Sequence, residues 1–191
     1  MNLTVEILEA CYGAGAFPMA DGYGRIAFYR SDPRSVLEFG DLHVSKSLGR
    51  VIRRGLYEVR VDGDFEGVVR ACADREETWI NDEIVAAFTR LHRAGKAHSV
   101  EAYDREGELV GGLYGVSLGG AFMGESMFSR ASDASKVCLV HLVERLRERG
   151  YVLLDCQIQN DHLARMGAKE IPEAEYLRRL YRALDLPRDF V

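Results

Sequence analysis

Hydrophobic positions recur along this chain in two rhythms, and the first is helical. Val5, Leu8 and Tyr12 share one helix face, as do Val44, Leu48, Val51 and Ile52, and then Ile84, Phe88 and Leu91. Each run carries its own boundary signals. Gly13, Gly15 and Pro18 close a helix over 4–12. Asp64 opens one that runs to about Ala73. Asn81 is a good N-cap, with acidic Asp82 and Glu83 in the first turn and Gly95 at the end. A long apolar run over 133–149 has Asp133 as its N-cap and Gly150 just past its end. Leu177, Leu180, Tyr181 and Leu184 mark a last helix.

The second rhythm is alternation. It predicts strands at Ile26–Tyr29, Tyr57–Val61, His98–Tyr103, Leu109–Val116, Ala121–Phe128 and 151–158. Asp104-Arg105-Glu106-Gly107 and Leu118-Gly119-Gly120 are short connections of turn-forming residues, so the middle three strands read as an antiparallel meander. The strand at 151–158 follows a helix, which lets it pair in parallel with a meander strand. Ser31–Arg34 reads as a turn, because Pro33 pushes the residue before it out of helix. Helix, helix, three antiparallel strands, helix, strand, helix makes a mixed α/β (α+β) layer. At the level of fold, this is the element order of the GCN5-related N-acetyltransferase-like acyltransferases. A catalytic domain is expected over 63–191, with a small N-terminal lobe over 1–62.

Composition narrows the class. With 191 residues, 47% hydrophobic and 29% charged, the chain is long enough for one good core and is not a disordered sequence. A net charge of -5 removes whole-molecule attraction to nucleic acid or anionic membrane, so a nucleic-acid contact needs a local patch. Lys46, Arg50, Arg53 and Arg54 supply a candidate, opposite the apolar stripe of 43–54. That face is either a solvated surface or a phosphate-contacting patch. The cysteines at 11, 72, 138 and 156 form no CxxC pair, and the histidines lack ligand spacing. Neither a zinc site nor a disulfide framework is expected. No apolar run reaches eighteen residues and the N-terminus has no signal-peptide pattern, so a cytoplasmic protein is expected, with nothing to suggest an obligate interface.

Two strands carry polar groups in apolar settings. Glu125 sits among Phe122, Met123, Met127 and Phe128, and Asp155 and Gln157 follow Val152-Leu153-Leu154. A carboxylate placed there is costly without a partner or a task. Asp155 and Gln157 share a strand face, where a carboxylate and an amide can flank one substrate group. Alternatively, Asp155 caps a neighbouring element and Gln157 is solvated. Glu125 beside Met and Phe suits a small amphipathic cation, or else pairs with a core Arg or Lys. Trp79 precedes a helix and is a core, lid or stacking residue. Cys156 has the opposite parity to Asp155 and reads as a small buried hydrophobe. No GxGxxG or GxxxxGK[ST] is present, and the Arg/Gln-x-x-Gly-x-Gly/Ala pattern of acetyl-CoA binders is missing.

The wording of several stretches is similar to one bacterial family. Gly124-Glu125-Ser126-Met127-Phe128-Ser129-Arg130, Ala134-Ser135-Lys136, Leu154-Asp155-Cys156-Gln157 and Asn160-Asp161-His162 resemble the leucyl/phenylalanyl-tRNA–protein transferases. Asp32-Pro33-Arg34, Cys72-Ala73-Asp74-Arg75, Thr78-Trp79-Ile80 and Gly111-Gly112-Leu113-Tyr114-Gly115 support the match in the same order. The resemblance implies transfer of Leu or Phe, and less well Met, from Leu-tRNA or Phe-tRNA to the N-terminal Arg or Lys of proteins. The product enters the bacterial N-degron pathway. It implies no metal and no cofactor. It puts the aminoacyl side chain in an apolar pocket of Leu113, Phe122, Met127 and Leu154. Glu125 then engages the donor's ammonium, Trp79 lies near the 3′ adenosine, and Asp155 with Gln157 activates the acceptor amine. Arg130 and Lys136 join the basic face of 46–54 as candidate tRNA contacts. An acidic pocket is expected for the cationic acceptor.

The chain departs from the family in a short N-terminal lobe, and in Phe28-Tyr29 where a Trp-Trp pair is common. Regular alternation puts Phe122 and Met127 on opposite faces, and a bulge at Gly124 would bring them together. Two other readings share the fold. An acyl-CoA-dependent N-acyltransferase needs a pyrophosphate loop that the sequence lacks. A non-catalytic tRNA- or peptide-binding adaptor predicts binding without transfer.

Overall fold

The computed structural model describes residues 3–191. The first two residues of the expected N-terminal lobe lie outside that range. Helix α1 (Val5–Gly13) is followed by strands β1 (Phe17–Ala20), β2 (Ile26–Tyr29) and β3 (Arg34–Val36). Then come α2 (Lys46–Arg53), β4 (Glu58–Val61), α3 (Phe65–Ala73) and α4 (Asp82–Arg93). The meander is β5 (Ala97–Tyr103), β6 (Leu109–Leu118) and β7 (Ala121–Ser129). It leads to α5 (Ala134–Glu148), β8 (Leu153–Gln157), α6 (Asp161–Arg165), β9 (Lys169–Ile171) and α7 (Glu173–Leu184).

Capping explains where most helices begin. Ser45, Asp64, Asn81 and Asn160 each accept a hydrogen bond from a backbone N–H three residues on. Asp133 does not. It sits in the left-handed region at φ 63° with no side-chain cap bond, and its carboxylate accepts from Lys136 Nζ at 2.7 Å. Ser129 Oγ takes the Ser135 N–H in its place, at 3.2 Å. Helix α2 starts at Lys46, later than the pattern predicts, and Val44 of its expected stripe is 40% exposed while Leu48 is buried.

Seven strands form one sheet in the order β4-β5-β6-β7-β8-β3-β9, and β1 and β2 make a separate ribbon. Every pairing is antiparallel except β7 with β8. The parallel strand reached through α5 is the one expected. The segment expected as a small lobe contributes two strands to this sheet, β4 at one edge and β3 between β8 and β9. Two cores cover the sheet's faces. One gathers Tyr12, Val68, Phe88, Tyr114, Met123 and Leu180, and the other gathers Leu113, Phe122, Cys138, Leu142, Leu154 and Phe190.

The register of β6 and β7 places the residues of interest. Leu113 faces Met127 and Tyr114 faces Ser126, but Gly115 faces Gly124, so Glu125 is an extra residue in β7. Such a bulge turns the strand and flips parity beyond it. Phe122 and Met127 therefore end on the same face, which Leu154 joins as Phe122's partner. Met123 lies on the other. Gly115 has to be glycine beside this bulge, since a Cβ would lie 2.4 Å from Met123 O and from the Phe122 ring.

Candidate active site

β7 and β8 pair only over Ala121–Met123 and Leu153–Asp155. Beyond that point β7 carries its bulge and β8 ends on Gln157, which is in the left-handed region at φ 60°. The strands part there and leave a cleft of about 940 Å³. Leu113, Met127, Leu139, Leu142, Leu154 and Leu163 form an apolar wall, and Trp79 also lines the cleft. Phe122 does not reach it. That ring is fully buried and stacked on Phe190, with centroids 5.2 Å apart. Cys156 lines the cleft half-buried, and burial first, then the Asp155 charge, pushes its thiol up. The cleft also holds Arg75, Glu125, Asp161, His162 and Arg165, so its lining is of mixed charge and not acidic.

Glu125 and Gln157 meet at the parting of the strands. Gln157 Nε2 donates to Glu125 Oε1 at 2.6 Å. Glu125 Oε2 and the Tyr12 hydroxyl are buried and hold each other only loosely, and the buried Tyr114 hydroxyl has no hydrogen-bond partner among the described residues. Native structures leave few buried polar atoms poorly paired, so a carboxyl group held this loosely beside two tyrosine hydroxyls marks a place where a ligand supplies stronger bonds. Burial raises the Glu125 pKa to about 8, with the Asp155 charge adding to it, while Tyr12, Gln157 and Arg34 pull it down. An arriving cation favours the charged form and reverses that shift.

Asp155 is a different kind of carboxylate. It is 0% exposed and lies on the far side of β8 from the apolar wall. Arg34 grips it with two bonds, Nε to Oδ1 at 2.9 Å and Nη2 to Oδ2 at 2.6 Å. Tyr176 Oη donates to Oδ2 at 2.7 Å, and the Gln157 N–H donates to Oδ1 at 2.8 Å. Both oxygens are filled. Burial alone disfavours the Arg34 charge, but Asp155 outweighs it and holds the guanidinium protonated. Arg34 also lies over the rings of Phe17 and Tyr176 and donates to Gly15 O. Ser31 Oγ donates to Gln157 O at 2.9 Å, so the backbone of Gln157 is fixed from both sides.

The remaining expected positions scatter. Lys46, Arg50 and Arg53 in α2 and Arg54 after it are exposed. Arg130 lies 3.7 Å from Asp74 and over the Phe128 ring. With Lys136 and His162 it lines a smaller recess that adjoins the cleft through Ser129, Ser135 and His162. The sequence gives no hint of Arg34, Tyr176, Tyr12 or Tyr114 as site residues, apart from Arg34 and Tyr114 lying in matched motifs. One group among the described residues has the makings of a cation site. Asp62, His92 and His98 lie within 4.8 Å of one another, away from the cleft. Their atoms are engaged already: His98 Nδ1 bonds Asp62 at 2.7 Å, Ser99 N–H donates to the same carboxylate, and His92 Nδ1 bonds Ala97 O.

The model of the leucyl/phenylalanyl-tRNA protein transferase family matches residues 36–181. The chain belongs to this family. A relative of that name from Rubrobacter xylanophilus is 72% identical over 190 residues, covering 100% of both chains. One from Gloeobacter violaceus is 56% identical, covering 100% of this chain and 98% of its own. One from Ruegeria pomeroyi is 52% identical, covering 100% and 91%. The chain is accordingly an aminoacyltransferase. Solved structures that resemble it include L-PGS from Bacillus licheniformis, at 17% identity and TM-score 0.46, covering 72% of this chain and 50% of that one. A GCN5-related N-acetyltransferase-like protein from Streptococcus suis has 14% identity and TM-score 0.41, covering 87% and 63%. The mixed α/β sheet with its single parallel pair among the described residues is the layer expected from the element order. No helix among the described residues is long and apolar enough to cross a membrane.

Proposed function

We propose that this protein moves Leu or Phe, and less well Met, from aminoacyl-tRNA to the N-terminal Arg or Lys of cytoplasmic proteins. The product feeds the N-degron pathway. The observation that carries the reading is the cleft at the parting of β7 and β8, apolar on one wall, with Glu125, only loosely held at Oε2, in its lining. The donor's side chain lies against the apolar wall and its ammonium is held by Glu125. Wall shape alone discriminates by about 1–3 kcal/mol per methylene, so selection among apolar donors is incomplete.

Transfer is aminolysis of an ester. The acceptor nitrogen bonds to the carbonyl carbon, and the bond from that carbon to the ribose oxygen breaks. The amine gives up a proton and the ribose oxygen takes one. Gln157 spends its Nε2 on Glu125, which leaves the amide oxygen to accept an N–H of the attacking amine and hold it in line. Asp155 acts through Gln157: its two oxygens already accept four hydrogen bonds, so it fixes the Gln157 backbone and takes no proton. Trp79 in the cleft wall suits the terminal adenosine. The exposed cations of α2, with Arg130 and Lys136, are the tRNA-facing groups, and the affinity they supply falls with salt. The enzyme works as a monomer, with no metal or cofactor.

The test is transfer of radiolabelled leucine from Leu-tRNA to a peptide with N-terminal Arg, beside a peptide with N-terminal Ala. Transfer to the Arg peptide alone is expected. Gln157→Ala lowers kcat with little change in KM for aminoacyl-tRNA, and Glu125→Ala raises that KM. No transfer from Leu-, Phe- or Met-tRNA by folded protein would overturn the reading, and tight tRNA binding without transfer would point to an adaptor.

A further inference from the structure

Arg75 stands apart from the other cations near the cleft. Its Nε donates to Cys72 O at 2.7 Å and its Nη2 to Ser126 Oγ at 2.6 Å. Both partners are neutral. Arg34 is neutralised by Asp155, and Arg130 has Asp74 nearby. Arg75 has no ion-pair partner among the described residues, yet its guanidinium is tied down at two points and lines the cleft. Ser126 directly follows the bulged Glu125, and Trp79 lines the same cleft. The field of this charge reaches the floor, where it opposes the rise that burial imposes on the Tyr114 hydroxyl. A guanidinium has five N–H donors in a planar fork, and three remain here for an anion.

The chemistry of the reaction says which anion. The donor's carboxyl group is an ester and carries no charge. The acceptor brings an amine and a cationic side chain. The one anion that has to lie within a nucleoside's length of the ester is the phosphodiester before the terminal adenosine. We infer that Arg75 binds this phosphodiester and so sets how deep the aminoacyl end sits in the cleft. The inference rests on the aminoacyl-tRNA reading above, and it adds a phosphate subsite on the Ser126 side of the cleft.

The test compares two ligands that differ in phosphate. Binding of the trinucleotide CCA and of adenosine is measured by calorimetry on wild type, Arg75→Gln and Arg75→Lys. Arg75→Gln is expected to weaken CCA by about ten-fold or more, the range for a charge-assisted hydrogen bond, and to leave adenosine within about two-fold. Arg75→Lys keeps the charge without the fork and falls between them. In parallel, Arg75→Gln raises KM for a leucylated CCA but not for leucyl-adenosine, which also reports that the variant is folded. Equal losses on both ligands would mean that Arg75 merely ties the loop to β7, and no loss on either would remove it from the site. A rise in KM for the acceptor peptide alone would give the charge to the acceptor and overturn the inference. Wild-type protein that transfers no leucine from any donor, while CCA binding still depends on Arg75, would break the transfer reading and leave the phosphate subsite standing.

Discussion

Two carboxylates lie on adjoining strands, and they are finished to different degrees. Asp155 is sealed from solvent with four donors on two oxygens. Glu125 is half-buried, with one oxygen bonded to Gln157 and the other only loosely held by the Tyr12 hydroxyl, beside the unpartnered Tyr114 hydroxyl. A buried ion costs several kcal/mol to desolvate, and only a full set of bonds offsets that. Asp155 has the full set, so its neighbourhood is scaffold. Glu125 lacks it, and its pKa stands near 8 because burial presses it to neutralise. The unfinished carboxyl is the one prepared for a substrate. Gln157 belongs to both networks, through its backbone on one side and its amide on the other.

The largest way to break this contrast is to remove one partner from each network. Arg34→Ala leaves the Asp155 charge buried and half-bonded. It is expected to destabilise the fold by about 3–5 kcal/mol in urea unfolding, the usual cost of orphaning a buried charge. Glu125→Ala removes a group that the fold satisfies only in part, so its stability loss is smaller while transfer from aminoacyl-tRNA collapses. Similar stability losses for the two variants would mean that Glu125 is scaffold as well.

This contrast was only partly legible in the chain. Asn81 and Asp64 announce their helices because a cap is a local bond, made three residues away. The meander and the parallel return follow from alternation and short glycine turns. Strand β3 is three residues long and begins with Arg34 after a proline, so no period exists to read. Its meaning appears only when Asp155, 121 residues later, arrives beside it. Parity made Phe122 and Met127 look incompatible, and the Glu125 bulge resolves them by flipping the strand. Bulge and register depend on the neighbouring strand, as does the burial of Phe122 beneath Phe190. Glu125, Asp155 and Gln157 stood out as polar groups among apolar ones. Which of them was paired was a matter of packing.

A second, smaller effect concerns pH. The Glu125 pKa rises from an ordinary 4.5 to about 8 on folding. The stability this carboxyl gives in its neutral form is fully present below about 4.5 and is lost as pH rises to about 8. Glu125→Gln mimics the neutral form throughout. The stability of wild type relative to Glu125→Gln is therefore expected to fall between those pH values, by on the order of 1–2 kcal/mol after allowance for solvent screening. Parallel unfolding curves across that range would show that Glu125 is already charged and compensated.

The smallest effect sharpens the scaffold side. Tyr176→Phe deletes the hydroxyl that donates to Asp155 Oδ2 at 2.7 Å and accepts from Arg34 Nη2 at 3.3 Å. Arg34 still holds both carboxylate oxygens and the Gln157 N–H still holds Oδ1, so no charge is orphaned. The expected cost is about 1 kcal/mol, that of one hydrogen bond whose acceptor stays partnered. Because Asp155 acts on the reaction only by holding the Gln157 backbone, kcat is expected to fall less than ten-fold, well short of the loss in Gln157→Ala, with KM for aminoacyl-tRNA unchanged. A kcat loss equal to that of Gln157→Ala, in a protein as stable as wild type, would mean that the Tyr176 hydroxyl takes part in the chemistry through Asp155. The sealed network would then be part of the proton path and not its frame.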